Sequence, residues 1–136
     1  MQRTFDRFPT VCVRLRGRNE KTREFDAIIA PASEFCVLPK VDAYFLGYGE
    51  SLQDSVTSYM TRPQNLITLV TPSGYVDAPV IMMKELKLGQ HLFENVQFLA
   101  HDLPQQMRFD VLLGRSFLTH VKMNVNYVER ILTIEA

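Results

Sequence analysis

The stretch from Phe25 to Pro39 restricts the fold more than any other part of the sequence. It begins with apolar residues typical of a strand, and Pro31 interrupts that strand because proline has no N–H to donate to a sheet. The apolar run from Phe35 to Leu38 then fits a short buried strand, which Pro39 ends. The pattern therefore predicts a strand, a tight loop and a second short strand.

A second apolar block runs from Phe109 to Leu118, near the C-terminus. It contains two leucines followed by Gly114 and Arg115, and its last residues suit the start of a short helix. Two β-rich runs follow, Val121 to Tyr127 and Ile131 to Ile134, with a polar turn between them. We predict that they form a terminal hairpin.

Period-two alternation and turn residues predict the other elements. They are a hairpin of 10–15 and 24–29, a short helix over 40–47, a hairpin of 65–70 and 75–83 with a turn at 71–74, and a strand pair of 84–88 and 95–100. Residues 48–64 suit either a helix or a strand, and residues 101–108 suit a polar loop. At 136 residues, the prior favours one domain spanning 1–136.

In this order, the two blocks resemble the two signatures of the retropepsin-like aspartic proteases. The first signature of that family is a hydrophobic pair, then Asp-Thr-Gly, then an ending such as Val-Leu-Pro. Here Ile28 and Ile29 match the pair, and residues 37–39 match the ending. Ala30, Pro31 and Ala32 then occupy the positions of Asp, Thr and Gly. If the alignment with the family signature is shifted by one residue, Ile29 takes the position of the Asp instead. Neither alignment places a carboxylate there.

The resemblance implies an all-β fold with one or two short helices, a closed β-barrel of the acid-protease type, and a homodimer. In the family each chain contributes one Asp to a pair that shares a proton. Ala30 can neither accept nor donate a proton, so general acid–base catalysis is lost. Pro31 lacks the hydroxyl of the family's Thr, and Ala32 adds a methyl group where the family has Gly. We therefore predict no catalytic residue.

The resemblance also implies which residues line a cleft and which hold the loop in shape. The cleft and flap residues are predicted to be Ala32, Glu34, Phe35, Ser73, Gly74 and Tyr75. Gly114 is expected to let the second block pass close to the loop, and Glu34 to form an ion pair with Arg115. Glu34, Gly114 and Arg115 are thus the predicted structural residues.

Other chemistry finds little support in the sequence. Asp26 and Asp110 are interpreted as structural carboxylates, and Cys36 as a buried and inert thiol because it lies in an apolar run. The three histidines and two cysteines show none of the usual spacings of metal ligands. We predict neither a metal nor a cofactor.

Charge and composition bear on partners and location. The 15 basic and 15 acidic side chains balance, so no overall field attracts nucleic acid or an anionic membrane. The hairpin around 14–23 is locally basic, but Glu20, Glu24 and Asp26 are expected to neutralise it, which makes nucleic-acid binding the weaker hypothesis. The first residues lack the long apolar core of a signal peptide, and no stretch is long enough to span a bilayer. The two cysteines make no disulfide framework, so we expect a reduced, cytoplasmic setting.

These observations predict a catalytically inactive, retropepsin-like homodimer that binds a peptide or protein partner or serves as an assembly module. The alternative is an active aspartic endopeptidase with a divergent active-site loop.

Overall fold

The computed structural model describes residues 1–48, 66–71, 74–102 and 110–135. The strands are β1 (Gln2–Thr4), β2 (Thr10–Arg16), β3 (Thr22–Ile29), β4 (Cys36–Leu38), β5 (Leu66–Thr71), β6 (Gly74–Leu88), β7 (His91–Ala100), β8 (Val111–Leu113), β9 (Lys122–Asn126) and β10 (Ile131–Glu135). The helices are α1 (Lys40–Phe45) and α2 (Arg115–Leu118). Apart from Tyr48, the segment 48–64 lies outside the described residues, as do Ser73 and most of the predicted loop at 101–108.

Within the described residues, six strands close into a barrel in the order β2-β3-β8-β4-β7-β6, and β6 pairs back onto β2. The pairs β3–β8 and β4–β7 are parallel, whereas the closing pair β2–β6 is antiparallel. The strand β5 extends the sheet beyond β6. The predicted mostly-β fold with two short helices and a closed barrel is therefore confirmed.

The alternation in the sequence decides which face of each strand points into the barrel. In β2, Val11, Val13 and Leu15 are buried while the residues between them face outward. The centre holds large side chains without measurable exposure, among them Phe98 and Phe117. Burying such a side chain stabilises the fold by about 1.5–3 kcal/mol, so these faces determine the register of the strands.

The strand β6 is longer than predicted, because the runs 75–83 and 84–88 form one strand of 15 residues. Met83 and Leu86 are both buried although they are three positions apart. The alternation of buried and exposed side chains is therefore interrupted once between them. Opposite this point in β7, Asn95 takes a positive φ of 56°, a conformation that Asn tolerates. Lys84 thus lies inside one continuous strand, where the buried face changes, and not at a strand end.

The terminal hairpin belongs to a second sheet of order β1-β10-β9. Its central strand β10 buries Leu132 and Ile134 against the barrel. The N-terminal strand β1 was not predicted, because its three residues are all exposed and carry no alternating pattern. No helix of the described segments is long and apolar enough to cross a membrane.

Candidate functional site

The loop at residues 30–35 joins the end of β3 to the start of β4. Because β3 runs parallel to β8 with Ile29 beside Leu113, the loop begins next to the second block. The Ala30 N–H donates to the Leu113 carbonyl at 2.9 Å, and the Ser33 N–H closes a turn onto the Ala30 carbonyl at 3.0 Å. The position of Ala30 is therefore held by main-chain groups.

The second block crosses this loop and binds its far side. The Arg115 N–H donates to the Ser33 carbonyl at 2.8 Å, and the Ser116 N–H donates to the Glu34 carbonyl at 2.9 Å. These hydrogen bonds use backbone atoms, which every non-proline residue provides. The shape of the loop can thus persist whatever side chains stand at positions 30–32.

Gly114 lies where the two segments come closest. A Cβ atom at this position would lie 2.7 Å from the Ser33 carbonyl oxygen and would also overlap the Phe35 carbonyl group. Its φ of −102° is open to any residue, so the requirement for glycine comes from the close approach of two backbones and not from an unusual conformation.

A hydroxyl and a thiol fasten the end of the loop. The Ser116 hydroxyl accepts a hydrogen bond from the Cys36 N–H at 3.0 Å and lies 2.8 Å from the Gln97 carbonyl, to which it can donate. The Cys36 side chain is fully buried beside it, and burial raises the pKa of this thiol. Cys36 is therefore buried and protonated, in agreement with its interpretation as an inert thiol.

We expect Ser116→Ala to lower the free energy of unfolding by about 1–3 kcal/mol, because the Cys36 N–H and the Gln97 carbonyl would lose their partner. Chemical denaturation of the two proteins measures the difference. Thr119→Ala, at an exposed position just after α2, is the matched control and should change stability by less than about 0.5 kcal/mol. Equal effects of the two substitutions would contradict the role assigned to Ser116.

Acidic groups are absent from residues 30–33 of the loop. Ala30 is half-buried, Pro31 and Ala32 are exposed, and Ser33 uses its hydroxyl to donate to the Phe35 carbonyl at 2.7 Å. Asp26 and Asp110 lie at the other end of the β3–β8 pair, where an Asp110 carboxylate oxygen accepts from the Asp26 N–H at 3.3 Å. Both carboxylates are exposed and separated from Ala30 by the length of the paired segment.

A solved structure matches this arrangement over almost the whole chain. It is a retropepsin-like aspartic protease from Rickettsia conorii, with a TM-score of 0.67, 20% identity, and coverage of 99% of this chain and 97% of that one. The chain has a retropepsin-like fold. No protein-family model and no curated protein matches the sequence.

Within this retropepsin-like fold, backbone hydrogen bonds from Arg115 to Ser33 and from Ser116 to Glu34 join the two segments, and the predicted ion pair does not. Both side chains are exposed, and the described residues show no ion pair between them. An exposed pair adds little stability because water already solvates both charges. The prediction of an ion pair is therefore wrong, and the main-chain hydrogen bonds from Arg115 and Ser116 hold the loop against the second block instead.

The predicted flap corresponds to the hairpin of β5 and β6. Thr71 pairs with Gly74 and Val70 pairs with Tyr75, which places the turn between Thr71 and Gly74 as predicted. Ser73 is outside the described residues, and only the backbones of Gly74 and Tyr75 are described. A hairpin is thus present at the predicted position.

A small apolar cluster, separate from the main core, adjoins the loop. Val37, Ala78 and Leu99 are buried in it, and Phe35, Val80 and Leu112 pack against it while half-buried. Phe35 was predicted from the resemblance, whereas the other five were not assigned to a site. Which cluster these five residues join depends on the pairing of β4, β6, β7 and β8, which their local sequence does not encode.

The basic hairpin is neutralised largely as predicted. Arg14 pairs with Glu24 at 2.8 Å, Arg16 pairs with Glu20 at 2.6 Å, and Lys84 also contacts Glu20. The hydrogen bond from Lys84, together with the charge of Arg16, lowers the pKa of Glu20.

Among the described residues, no three acidic, histidine or cysteine side chains come together in a way that could hold a metal ion.

Proposed function

We propose that this protein is a homodimer without peptidase activity that binds an extended peptide or protein segment in the cleft of its retropepsin-like fold. One observation carries the proposal: the loop keeps its backbone hydrogen bonds to residues 113–116, although Ala30, Pro31 and Ala32 provide no catalytic group. In this proposal the backbone structure of the loop is retained, whereas the groups for general acid–base catalysis are lost.

A peptide-binding role needs no carboxylate. Extended peptides bind sheet edges and clefts mainly through main-chain hydrogen bonds, while pockets for alternate side chains add specificity. Here the half-buried Phe35 and Leu112 offer apolar surface next to the loop. We infer that the cleft residues are Ala32, Glu34, Phe35 and the flap residues 73–75, and that the bound segment carries apolar side chains.

The terminal sheet supports a dimer. Among the described strands, β9 pairs only with β10, so its outer edge keeps free N–H and C=O groups. Met123 and Val125 of β9 are half-buried, whereas their partners Ile134 and Leu132 in β10 are fully buried. The β9 strand of a second copy, running antiparallel, would cover both the edge and the remaining apolar surface.

Such a protein needs no cofactor, and it suits the cytoplasm. Cys12 is exposed and Cys36 is buried, and neither forms a disulfide. Free thiols of this kind are kept reduced in the cytosol. The whole chain would act as one domain in this proposal.

The alternative function is that of an active aspartic endopeptidase with a divergent active-site loop. The similar structure from Rickettsia conorii is that of an aspartic protease, which favours this alternative. Function nevertheless depends on the site and not on the fold, and residues 30–33 contain no carboxylate.

Incubation with a fluorogenic, apolar-rich peptide library from acidic to neutral pH separates the two functions. We expect no cleavage above the buffer control, because no group at Ala30 can activate water. A catalytically active retropepsin, assayed in parallel, verifies the library. Turnover that an aspartic-protease inhibitor abolishes would establish the alternative.

Binding is tested with the same peptides by NMR of the isotopically labelled protein. We expect the amide resonances of Ala32, Glu34 and Phe35 to shift on binding of apolar peptides. Phe35→Ala should weaken the affinity by about tenfold or more, the equivalent of a substantial interface side chain. Phe8→Ala is the matched control, because Phe8 is 56% exposed and lies outside the loop and the cluster. Equal affinities of both variants would argue against the cleft as the binding site.

A further inference from the structure

The seam where β2 meets β6 carries an unfavourable charge pair on its outer face. The register places Arg14 directly opposite Lys87 and Arg16 directly opposite Glu85. Residues directly opposite in an antiparallel pair point to the same face, with Cβ atoms about 5 Å apart, and like charges there are destabilising. Arg16 thus meets an acid, with which it also forms an ion pair, whereas Arg14 meets a second cation.

The positive charge at this pair is only partly compensated by the protein. On its other side Arg14 faces Glu24 of β3, and one guanidinium nitrogen donates to that carboxylate at 2.8 Å. Lys87 forms no ion pair with any residue in the described segments. Its neighbour in β7 is Leu92, which is 51% exposed. Lys87 therefore stands between a cation and an exposed apolar side chain.

Two concave surfaces meet at Arg14 and Lys87. The larger, with a volume of about 510 Å³, includes Gln90 and Leu92 in its lining, and the smaller, of about 160 Å³, includes Glu24 and Gly89. Both cations contribute to both surfaces. This seam groove lies beside the first half of β3, because Arg14 pairs with Glu24, whereas the loop at 30–35 follows the end of β3.

We propose that the seam groove binds an acidic side chain of a peptide or protein partner, with an adjacent apolar residue of that partner against Leu92. A carboxylate between Arg14 and Lys87 would accept hydrogen bonds from both cations and remove the repulsion between them. The guanidinium of Arg14 has N–H donors left for this purpose, since only one of its nitrogens contacts a described acceptor. The proposal concerns a surface outside the cleft and does not depend on the proposed function.

The charges around the groove favour a single carboxylate over a polyanion. Glu24 and Glu85 flank Arg14 and Lys87, so a chain of closely spaced phosphates would meet two carboxylates as well as the cations. The chain as a whole also has no net charge to attract nucleic acid. A side chain with one acidic group can instead fit between the two cations.

The test uses the full chain, labelled for NMR, and the blocked peptide acetyl-Leu-Glu-Leu-amide, with acetyl-Leu-Gln-Leu-amide as the uncharged control. We expect saturable shifts of the Arg14, Lys87 and Leu92 amides with the Glu peptide, and an affinity about tenfold lower for the Gln peptide. Lys87→Met should weaken binding of the Glu peptide by about the same factor. Arg7→Met removes an exposed cation outside the groove and should leave the affinity unchanged.

Thermal unfolding separates a binding role from a structural one. Because Lys87→Met relieves a like-charge contact, its midpoint should equal or exceed that of the unsubstituted protein. The absence of saturable shifts, equal affinities for the two peptides, or equal weakening by Lys87→Met and Arg7→Met would overturn the proposal. Tighter binding of a single-stranded oligonucleotide than of the Glu peptide at these residues would also overturn it.

Discussion

Gly114→Ala is expected to destabilise the protein by more than about 3 kcal/mol, which is a large part of the stability of a typical domain. The added methyl group would overlap the Phe35 carbonyl and lie 2.7 Å from the Ser33 carbonyl oxygen. Backbone atoms cannot move aside as the end of a flexible side chain can. Relief of the overlap would therefore break the hydrogen bonds from Arg115 and Ser116 to the loop. The midpoint of urea denaturation measures the loss.

Gly89→Ala is the matched control for this substitution. Gly89 has a positive φ of 61° in the β6–β7 turn, and nothing lies within 4 Å of a Cβ added there. Its cost is limited to the backbone conformation, about 1–2 kcal/mol. If Gly114→Ala proved no more harmful than Gly89→Ala, the close crossing of the loop by the second block would be contradicted.

Asn124→Glu is expected to dissociate the proposed dimer. Antiparallel pairing of β9 with its copy about a two-fold axis at Asn124 places this residue opposite itself, and Met123 opposite Val125 of the second copy. Two glutamates would then face each other at the axis. Such like-charge contacts at an interface cost several kcal/mol, so we expect the dissociation constant to rise by at least about 100-fold. Light scattering or sedimentation over a concentration series measures the mass.

Asn126→Glu adds the same charge to the same exposed side of β9. In the proposed register Asn126 lies opposite Lys122 of the second copy, so the added carboxylate would gain an attractive partner. The dimer of this variant should be at least as stable as that of the unsubstituted protein. A monomeric mass for the unsubstituted protein at micromolar concentration, or equal dissociation of both variants, would refute this interface.

The contacts that shape the loop at 30–35 do not involve the side chains at positions 30–32. The loop at 30–35 is held by main-chain hydrogen bonds, by Gly114 and by the Ser116 hydroxyl. None of these depends on a carboxylate at Ala30, a hydroxyl at Pro31 or a bare backbone at Ala32. The loss of catalytic groups that we propose at these three positions would therefore leave the contacts that shape the loop intact.

Local patterns in the sequence were sufficient to predict most of the strands. The alternation of Val11, Val13 and Leu15 predicted β2, because side chains on a strand face opposite sides in turn. Residues 30–32 carry no ionisable group, which the sequence states directly. The prediction divided β6 before Lys84, because a local pattern does not distinguish a change of buried face within a strand from a strand end.

The tertiary structure alone decided which distant segments meet. Closure of the barrel places Arg14 opposite Lys87. The crossing at Gly114 brings the Ser116 hydroxyl to the Cys36 N–H. It also joins Glu34 to the second block by a backbone hydrogen bond and not by the predicted ion pair. The exposed β1 gained its place only by pairing with β10. A sequence read along its length records which side chains alternate and which groups can ionise. The register between strands far apart in the chain depends on how all the buried faces pack together at once, and no local period encodes it.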